Sequence, residues 1–177
     1  MSLPTERQTR EFFRLWAEGK ITGDVLQEVI EKAGKLGFSQ FFKKIIQQAR
    51  KAAAAIVIPY PQAKVYAAIA GVSKEAKDFE AARKAAAAIT DSYLQAKVYA
   101  AIAGASKEAK DFEAARKAAA AIVIPYSQAE VYAAIAGVSK EAKDFEAARK
   151  AAAAIASPYS QAEVYAAIAG ALAEAMK

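Results

Sequence analysis

The side chains that could do chemistry in this chain are carboxylates, hydroxyls and amines, because the sequence contains neither histidine nor cysteine. That absence removes the commonest general base, the cysteine nucleophiles and the usual zinc ligands. The carboxylates recur with a Lys or Arg neighbour at helical spacing, as Glu113 has Lys117. A general acid and base must instead be held in different environments. The pattern therefore predicts solvated ion pairs in a protein that is not an enzyme and that has no metal site or cofactor.

These side chains are carried by a tandem repeat of 33 residues. The copies span residues 51–83, 84–116 and 117–149, and a partial copy spans residues 150–177. A fixed period of this length is typical of stacked helical repeats. The first and third copies differ at only two positions, which indicates either recent duplication or engineered assembly from a consensus unit. We divide the chain into an N-terminal helical cap, residues 1–50, and a repeat array, residues 51–177, that continues from it without a linker.

Composition favours a protein with a mixed surface and a thin core. The 25 basic and 19 acidic residues give a formal charge of +6, and Ala supplies much of the 55% hydrophobic content. The longest apolar run, residues 52–58, is far shorter than the roughly 20 residues of a membrane span. The N-terminus has no basic region followed by an apolar one, so it does not read as a secretory signal. We expect a soluble, cytoplasmic protein.

Residues 1–50 predict three helices. They begin near Thr5, at Thr22 or Asp24, and at Ser39, and the third helix runs directly into the first repeat. Aromatic residues at helical spacing usually belong to a core rather than to a binding site. We therefore interpret those of the first helix as a seal on the open end of the stack; they include Phe12, Phe13 and Trp16.

Each repeat predicts two helices, which we name helix A and helix B. Helix A of the second copy starts near Gln95 and carries the apolar stripe of Val98 and Ile102. Helix B starts after Lys110, with Asp111 as its N-cap and Phe112 as its large buried side chain. Prolines between copies end helix B, and the Ser-Gln-Ala-Glu stretches that follow predict capping boxes. These features lie at Pro59, Pro125 and Pro158 and at Ser127 and Ser160.

Gly104 and its equivalents leave the end of helix A open. The glycine either ends the helix or lies inside it, with the helix running on toward the position of Lys77. In the last copy Leu172 replaces the serine that would cap the next helix. That replacement favours a helix A that continues through the glycine.

QAKVYAAIAG followed by KDFEAARKAAAAI resembles a tetratricopeptide repeat of the Ala-rich bacterial type. Lys-Asp-Phe at residues 110–112 is similar to the turn of that family, where Gly-Asp-aromatic is usual. Tyr99 stands near its large aromatic position in helix A, and Ala115 matches its small residue in helix B. The resemblance implies an all-α fold, a right-handed α-solenoid of antiparallel helix pairs. With the N-terminal cap, about ten helices are expected.

The family binds peptides and partner proteins along a concave face lined by helix A. The resemblance therefore implies a scaffold or protein-interaction module with charged candidates on that face. These candidates are Lys64, Lys74, Lys97, Lys107, Glu130, Lys140 and Glu163. A nucleic-acid-binding repeat protein is the alternative, but acidic residues interleave with the lysines and would repel phosphate.

One column of helix A changes sign along the chain. It reads Lys64, Lys97, Glu130 and then Glu163. If helix A lines a groove, the groove is positive at one end and negative at the other. The column predicts a ligand of opposite polarity and weak head-to-tail self-association that salt would screen.

Overall fold

The computed structural model describes residues 39–177, and side chains from residue 42. Those residues form eight α-helices and no strand. The helices are α1 (Ser39–Ala54), α2 (Pro59–Ser73), α3 (Ala76–Ala87), α4 (Ser92–Ser106), α5 (Ala109–Ala120), α6 (Pro125–Ser139), α7 (Ala142–Ala153) and α8 (Pro158–Ala175). The predicted helices from Thr5 and from Thr22 or Asp24, and the aromatic seal, lie outside the described residues.

The helices pack in consecutive pairs, as a helical-repeat fold requires. The closest partners are α2 with α3, α4 with α5, and α6 with α7, which are helix A and helix B of one copy. Each helix A also contacts helix A of the next copy, so that α2, α4, α6 and α8 form one continuous row. Contacts between each helix B and the following helix A join the copies. The all-α class is confirmed for the described residues, and the packing order fits a solenoid.

The core is thin because alanine builds much of it. Ala82, Ala115 and Ala148 on helix B are completely buried. Three of the four core clusters in residues 39–177 combine helix A and helix B of one copy with helix A of the next; one such cluster contains Ala103, Phe112 and Ile135. Small side chains let helix axes approach closely, so neighbouring copies share one core.

Proline starts helix A in three of the four copies, which corrects the predicted capping boxes. Pro59, Pro125 and Pro158 occupy the first turn of α2, α6 and α8, where a missing N–H costs nothing. Ser127 therefore lies inside the first turn of its helix instead of capping it. Side-chain caps come from residues before the helix: Asp91 accepts from the Leu94 N–H at 2.8 Å, and Ser157 accepts from the Ser160 N–H at 3.4 Å.

Helix A continues through the glycine, as the last copy predicted, but ends earlier than the position of Lys77. It ends at a lysine with positive φ in each complete copy: Lys74 (57°), Lys107 (59°) and Lys140 (58°). This left-handed conformation costs an L-residue roughly 1–2 kcal/mol. Two of these lysines also donate hydrogen bonds to the next copy. The Lys74 Nζ donates to the Ala105 carbonyl at 3.2 Å, and the Lys107 Nζ donates to the Val138 carbonyl at 3.4 Å.

Gly137→Ala should raise the free energy of unfolding by about 0.5–1 kcal/mol, because glycine inside a helix costs that much relative to alanine. A Cβ added at Gly137 would lie 3.7 Å from the Ala171 Cβ, an ordinary contact. Urea denaturation measures the change. Gly104→Ala is the matched control, and its gain should be smaller because the new Cβ would lie 3.3 Å from the Val138 Cγ1. A loss of stability in Gly137→Ala would contradict the mid-helix position.

Within residues 39–177, no helix combines the length and the apolar character that crossing a bilayer requires.

Candidate binding groove between helices α2 and α4

An open groove of about 660 Å³ lies between helix A of the first copy and helix A of the second. Its floor is built from alanine and glycine. The small residues that line it are Ala67, Ala68, Gly71, Ala101, Gly104 and Ala105. The floor is narrow because the two helices are close: a Cβ added at Gly71 would lie 3.6 Å from the Ala105 Cβ. The groove therefore has a smooth surface with few side chains that could select a ligand by shape.

Larger side chains line the groove beside this floor. Tyr60, Lys64, Lys74 and Lys97 are among its lining residues. Three of these are lysines that the resemblance to a tetratricopeptide repeat implied for the helix-A face. Among the described residues, the lining contains no carboxylate. The groove therefore favours a ligand that carries negative charge.

The three lysines differ in how far they are already engaged. The Lys97 Nζ lies 3.1 Å from the Tyr93 hydroxyl, 4.9 Å from the Tyr93 ring centre and 3.3 Å from Glu130 Oε1. The hydrogen bond with Tyr93 raises the pKa of Lys97, and the charge of Glu130 adds to the rise. Lys74 is committed to the Ala105 carbonyl. Lys64 makes no ion pair with any residue in 39–177, so among the three it is the cation most available to a ligand.

The other predicted binding residues lie outside this groove. Glu130 is occupied by Lys97 and also accepts from the Tyr93 hydroxyl at 2.9 Å. Glu163 accepts from the Tyr126 hydroxyl at 3.4 Å. Lys107 bonds to the next copy, and Lys140 ends α6. The middle of the sign-changing column is therefore an ion pair within the chain, between neighbouring copies.

The helix-B aspartates have a different role from the predicted one. Asp111 is not the N-cap of α5, because Glu108 occupies that position and Asp111 lies in the first turn. It is also not solvated, since only 1% of its surface is exposed. Asp78 and Asp144 are buried in the same way.

Each buried aspartate binds an arginine that lies 28 residues earlier, in the preceding copy or, for Asp78, in α1. Arg83 donates from Nε to Asp111 Oδ1 and from Nη2 to Asp111 Oδ2, both at 2.7 Å. The Ser106 hydroxyl donates to Oδ2 at 2.5 Å, and Arg83 also contacts Glu108 at 3.0 Å. Bidentate, charge-assisted bonds of this kind are stronger than neutral ones and fix orientation. The equivalent pairs are Arg50 with Asp78 and Arg116 with Asp144.

Electrostatics keeps Asp111 and Asp144 ionised. Burial raises the pKa of Asp111, but the hydrogen bonds from Arg83 and Ser106 lower it further, so the net shift is downward. The pKa of Asp144 is lowered in the same way by Arg116 and Ser139. On the surface, Lys77 and then Arg50 lower the pKa of Glu75 to about 2. A carboxylate held by a guanidinium is a poor proton donor, so the geometry suits joining of the copies rather than acid–base chemistry.

Comparison of the chain with protein-family models, with curated proteins and with solved structures finds no match. The internal copies are therefore the available reference for each position. By that reference, the Arg–Asp pair could have been suspected from sequence, because both residues keep one spacing across three boundaries.

Proposed function

We propose that the protein is a non-enzymatic helical-repeat scaffold that binds an extended, acidic segment of a partner protein in the groove between α2 and α4. The observation that carries the proposal is the lining of that groove: small residues along the floor, with Lys64 and no carboxylate among the residues beside it. An extended backbone fits a narrow, smooth floor, and carboxylate side chains would pair with the lysines.

The repeat type behind this proposal is a tetratricopeptide-like right-handed superhelix of antiparallel helix pairs. Its support is the resemblance of the helix-A and helix-B sequences together with the consecutive pairing of the helices. In such a stack helix A lines the concave side. The row formed by α2, α4, α6 and α8 would then continue the groove along the array.

Lys64→Glu should weaken binding of an acidic peptide by about tenfold, which corresponds to 1.4 kcal/mol, because it replaces the available cation with a repelling charge. Fluorescence anisotropy with a labelled peptide of alternating Glu and Ala residues measures the affinity. Affinity should also fall as salt rises.

Lys84→Glu is the matched control, because it makes the same charge change at an exposed position of α3 outside the groove. Equal losses in the two variants would show that net charge alone attracts the peptide. No binding of any acidic peptide to the unaltered protein would contradict the proposal.

Nucleic acid is the less supported partner. Arg50, Arg83 and Arg116 are each neutralised by an aspartate of the next copy. They are therefore not available to phosphate without breaking a contact between copies. If electrophoretic shifts at low salt show that mixed oligonucleotides bind more tightly than the acidic peptide, nucleic acid becomes the favoured partner.

A further inference from the structure

Helix α8 presents a face that is covered in every earlier copy. Three helix-A alanines of the first copy, Ala63, Ala67 and Ala70, are at most 7% exposed because they pack against α3 of the same copy. The corresponding alanines of α4 and α6 are at most 8% exposed. On α8 the equivalent residues, Ala162, Ala166 and Ala169, are all exposed. Tyr165 beside them is 37% exposed.

Arg149 at the same end of the stack has lost its usual partner. The side chains of Arg50, Arg83 and Arg116 are only 19–21% exposed, and each is clamped on a buried aspartate of the next copy. The side chain of Arg149 is 61% exposed, and its only ion-pair partner within residues 39–177 is Glu146, one turn earlier on its own helix. Lys177 stands where the next aspartate would fall. A guanidinium and an apolar helix face are therefore both open on one surface.

The three earlier copies show what covers such a surface. In each of them it carries a helix B that begins Ala-Lys-Asp-Phe, with a glutamate as its N-cap. The aspartate binds the arginine, and the glutamate three residues before it contacts the same guanidinium. The phenylalanine packs on the helix-A alanines.

We propose that this end face, defined by Arg149, Ala162, Tyr165, Ala166 and Ala169, is a docking site for an amphipathic, alanine-rich helix of a partner polypeptide. The partner helix carries Glu-x-x-Asp-Phe in its first turns. Its aspartate replaces Glu146 as the ion-pair partner of Arg149. Its phenylalanine and alanines pack on the exposed alanines of α8. The site is separate from the groove between α2 and α4, so it does not depend on the proposed groove ligand.

A second copy of this chain fits the surface less well. The helix of a second copy that corresponds to helix B is α1. Arg50 and Ala49 of α1 occupy the repeat positions that Arg83 and Ala82 occupy in α3. In that register Ile45 stands where the aspartate is needed. Docking of α1 would bury Arg149 against an aliphatic side chain and leave its charge unpaired. Charge complementarity therefore favours a helix with the aspartate.

The test uses the whole protein and a labelled peptide with the sequence of residues 106–122, SKEAKDFEAARKAAAAI. Fluorescence anisotropy should show saturable binding to the unaltered protein. Arg149→Glu should weaken binding at least about tenfold, since removing one member of a desolvated charge pair mainly raises dissociation. Lys150→Glu is the matched control and should leave affinity unchanged, because that column is exposed in every copy. Ala166→Glu, a substitution at an exposed site, should abolish binding.

A charge exchange separates the proposed contact from general electrostatic attraction. A peptide with Asp111→Arg should bind the Arg149→Glu protein more tightly than it binds the unaltered protein, which reverses the order seen with the original peptide. The proposal is overturned if the peptide does not bind, or if Arg149→Glu and Lys150→Glu lower affinity equally. It is also overturned if sedimentation shows a dimer that Ala166→Glu dissociates and the peptide does not, because a second copy would then be the occupant. If Lys64→Glu no longer binds the Glu/Ala peptide but still binds the peptide of residues 106–122, the groove and the end face are separate sites.

Discussion

Phe112→Ala is expected to lower the free energy of unfolding by about 3–5 kcal/mol, the usual cost of removing a buried phenylalanine side chain. Phe112 is 7% exposed and packs in one cluster with Ala103 of helix A and Ile135 of the next helix A. The walls of this site include many alanines, which have no longer side chains with which to fill the space. The cavity should therefore persist, and the loss should lie toward the upper end of the range. Urea denaturation followed by circular dichroism measures it.

The equivalent phenylalanines give a graded control for this experiment. Phe145→Ala should cost less than Phe112→Ala, because Phe145 is only partly buried. Val123→Ala should change stability very little, since Val123 is 92% exposed. A loss below about 1 kcal/mol for Phe112→Ala would contradict the burial of Phe112 between helix A and helix B.

Periodic features of this chain could be predicted from sequence. The 33-residue period predicted the helix pairs, and the apolar stripes placed Val98, Ile102 and Phe112 in the core. Periodicity is informative here because each apolar stripe recurs at the same spacing in every copy. The leucine at position 172 similarly predicted a helix that continues through the glycine.

Helix ends were predicted less well, since several local rules compete there. Proline marks both the end of one helix and the first turn of the next, and the structure uses the second role. Lysine is an unexpected residue for a left-handed C-cap, where glycine is preferred. Lys74 also reaches the Ala105 carbonyl of the next copy with its ammonium group, a contact that its own sequence neighbourhood does not reveal.

The candidate groove was partly predicted, whereas the ion pairs between copies were missed although their constant spacing is visible in the sequence. The resemblance implied that Lys64 and Lys74 lie on one face of helix A, and both line the groove. Helical spacing assigned Asp111 to the surface, because the nearest basic residues in sequence are on its own helix. Its actual partner, Arg83, belongs to the previous copy, so the pair depends on how copies stack.

Asp111→Asn is expected to destabilise the protein by about 3 kcal/mol at neutral pH, because it removes the buried, bidentate partner of the Arg83 guanidinium and leaves it the exposed Glu108. Glu113→Gln on the same helix is the control, since Glu113 is exposed and should contribute little. Urea denaturation at pH 7 compares the three proteins. Equal stability of Asp111→Asn and the unaltered protein would show that the pair contributes nothing.

Acid should reduce the difference in unfolding free energy between the unaltered protein and Asp111→Asn. The folded-state pKa of Asp111 lies below its unfolded value of about 3.9. The pair therefore stabilises the fold fully above that unfolded value, and its contribution is lost as pH falls through the folded pKa. The gap between the unaltered protein and Asp111→Asn should be constant from pH 7 to about pH 5 and should shrink below pH 4. A gap that grows in acid would contradict the downward shift.

Replacing both partners separates the strength of the pair from the cost of breaking it. Arg83→Met combined with Asp111→Leu removes both charges and keeps apolar volume at the contact, so no group is left buried with an unpaired charge. Such replacements are often neutral or stabilising. We therefore expect the double variant to recover most of the stability that Asp111→Asn loses. Recovery would mean that the ion pairs chiefly fix the register between copies, because a shifted neighbour would place an aspartate against apolar residues. If the double variant is instead as unstable as Asp111→Asn, the Arg83–Asp111 bonds themselves supply a large part of the energy that joins one copy to the next.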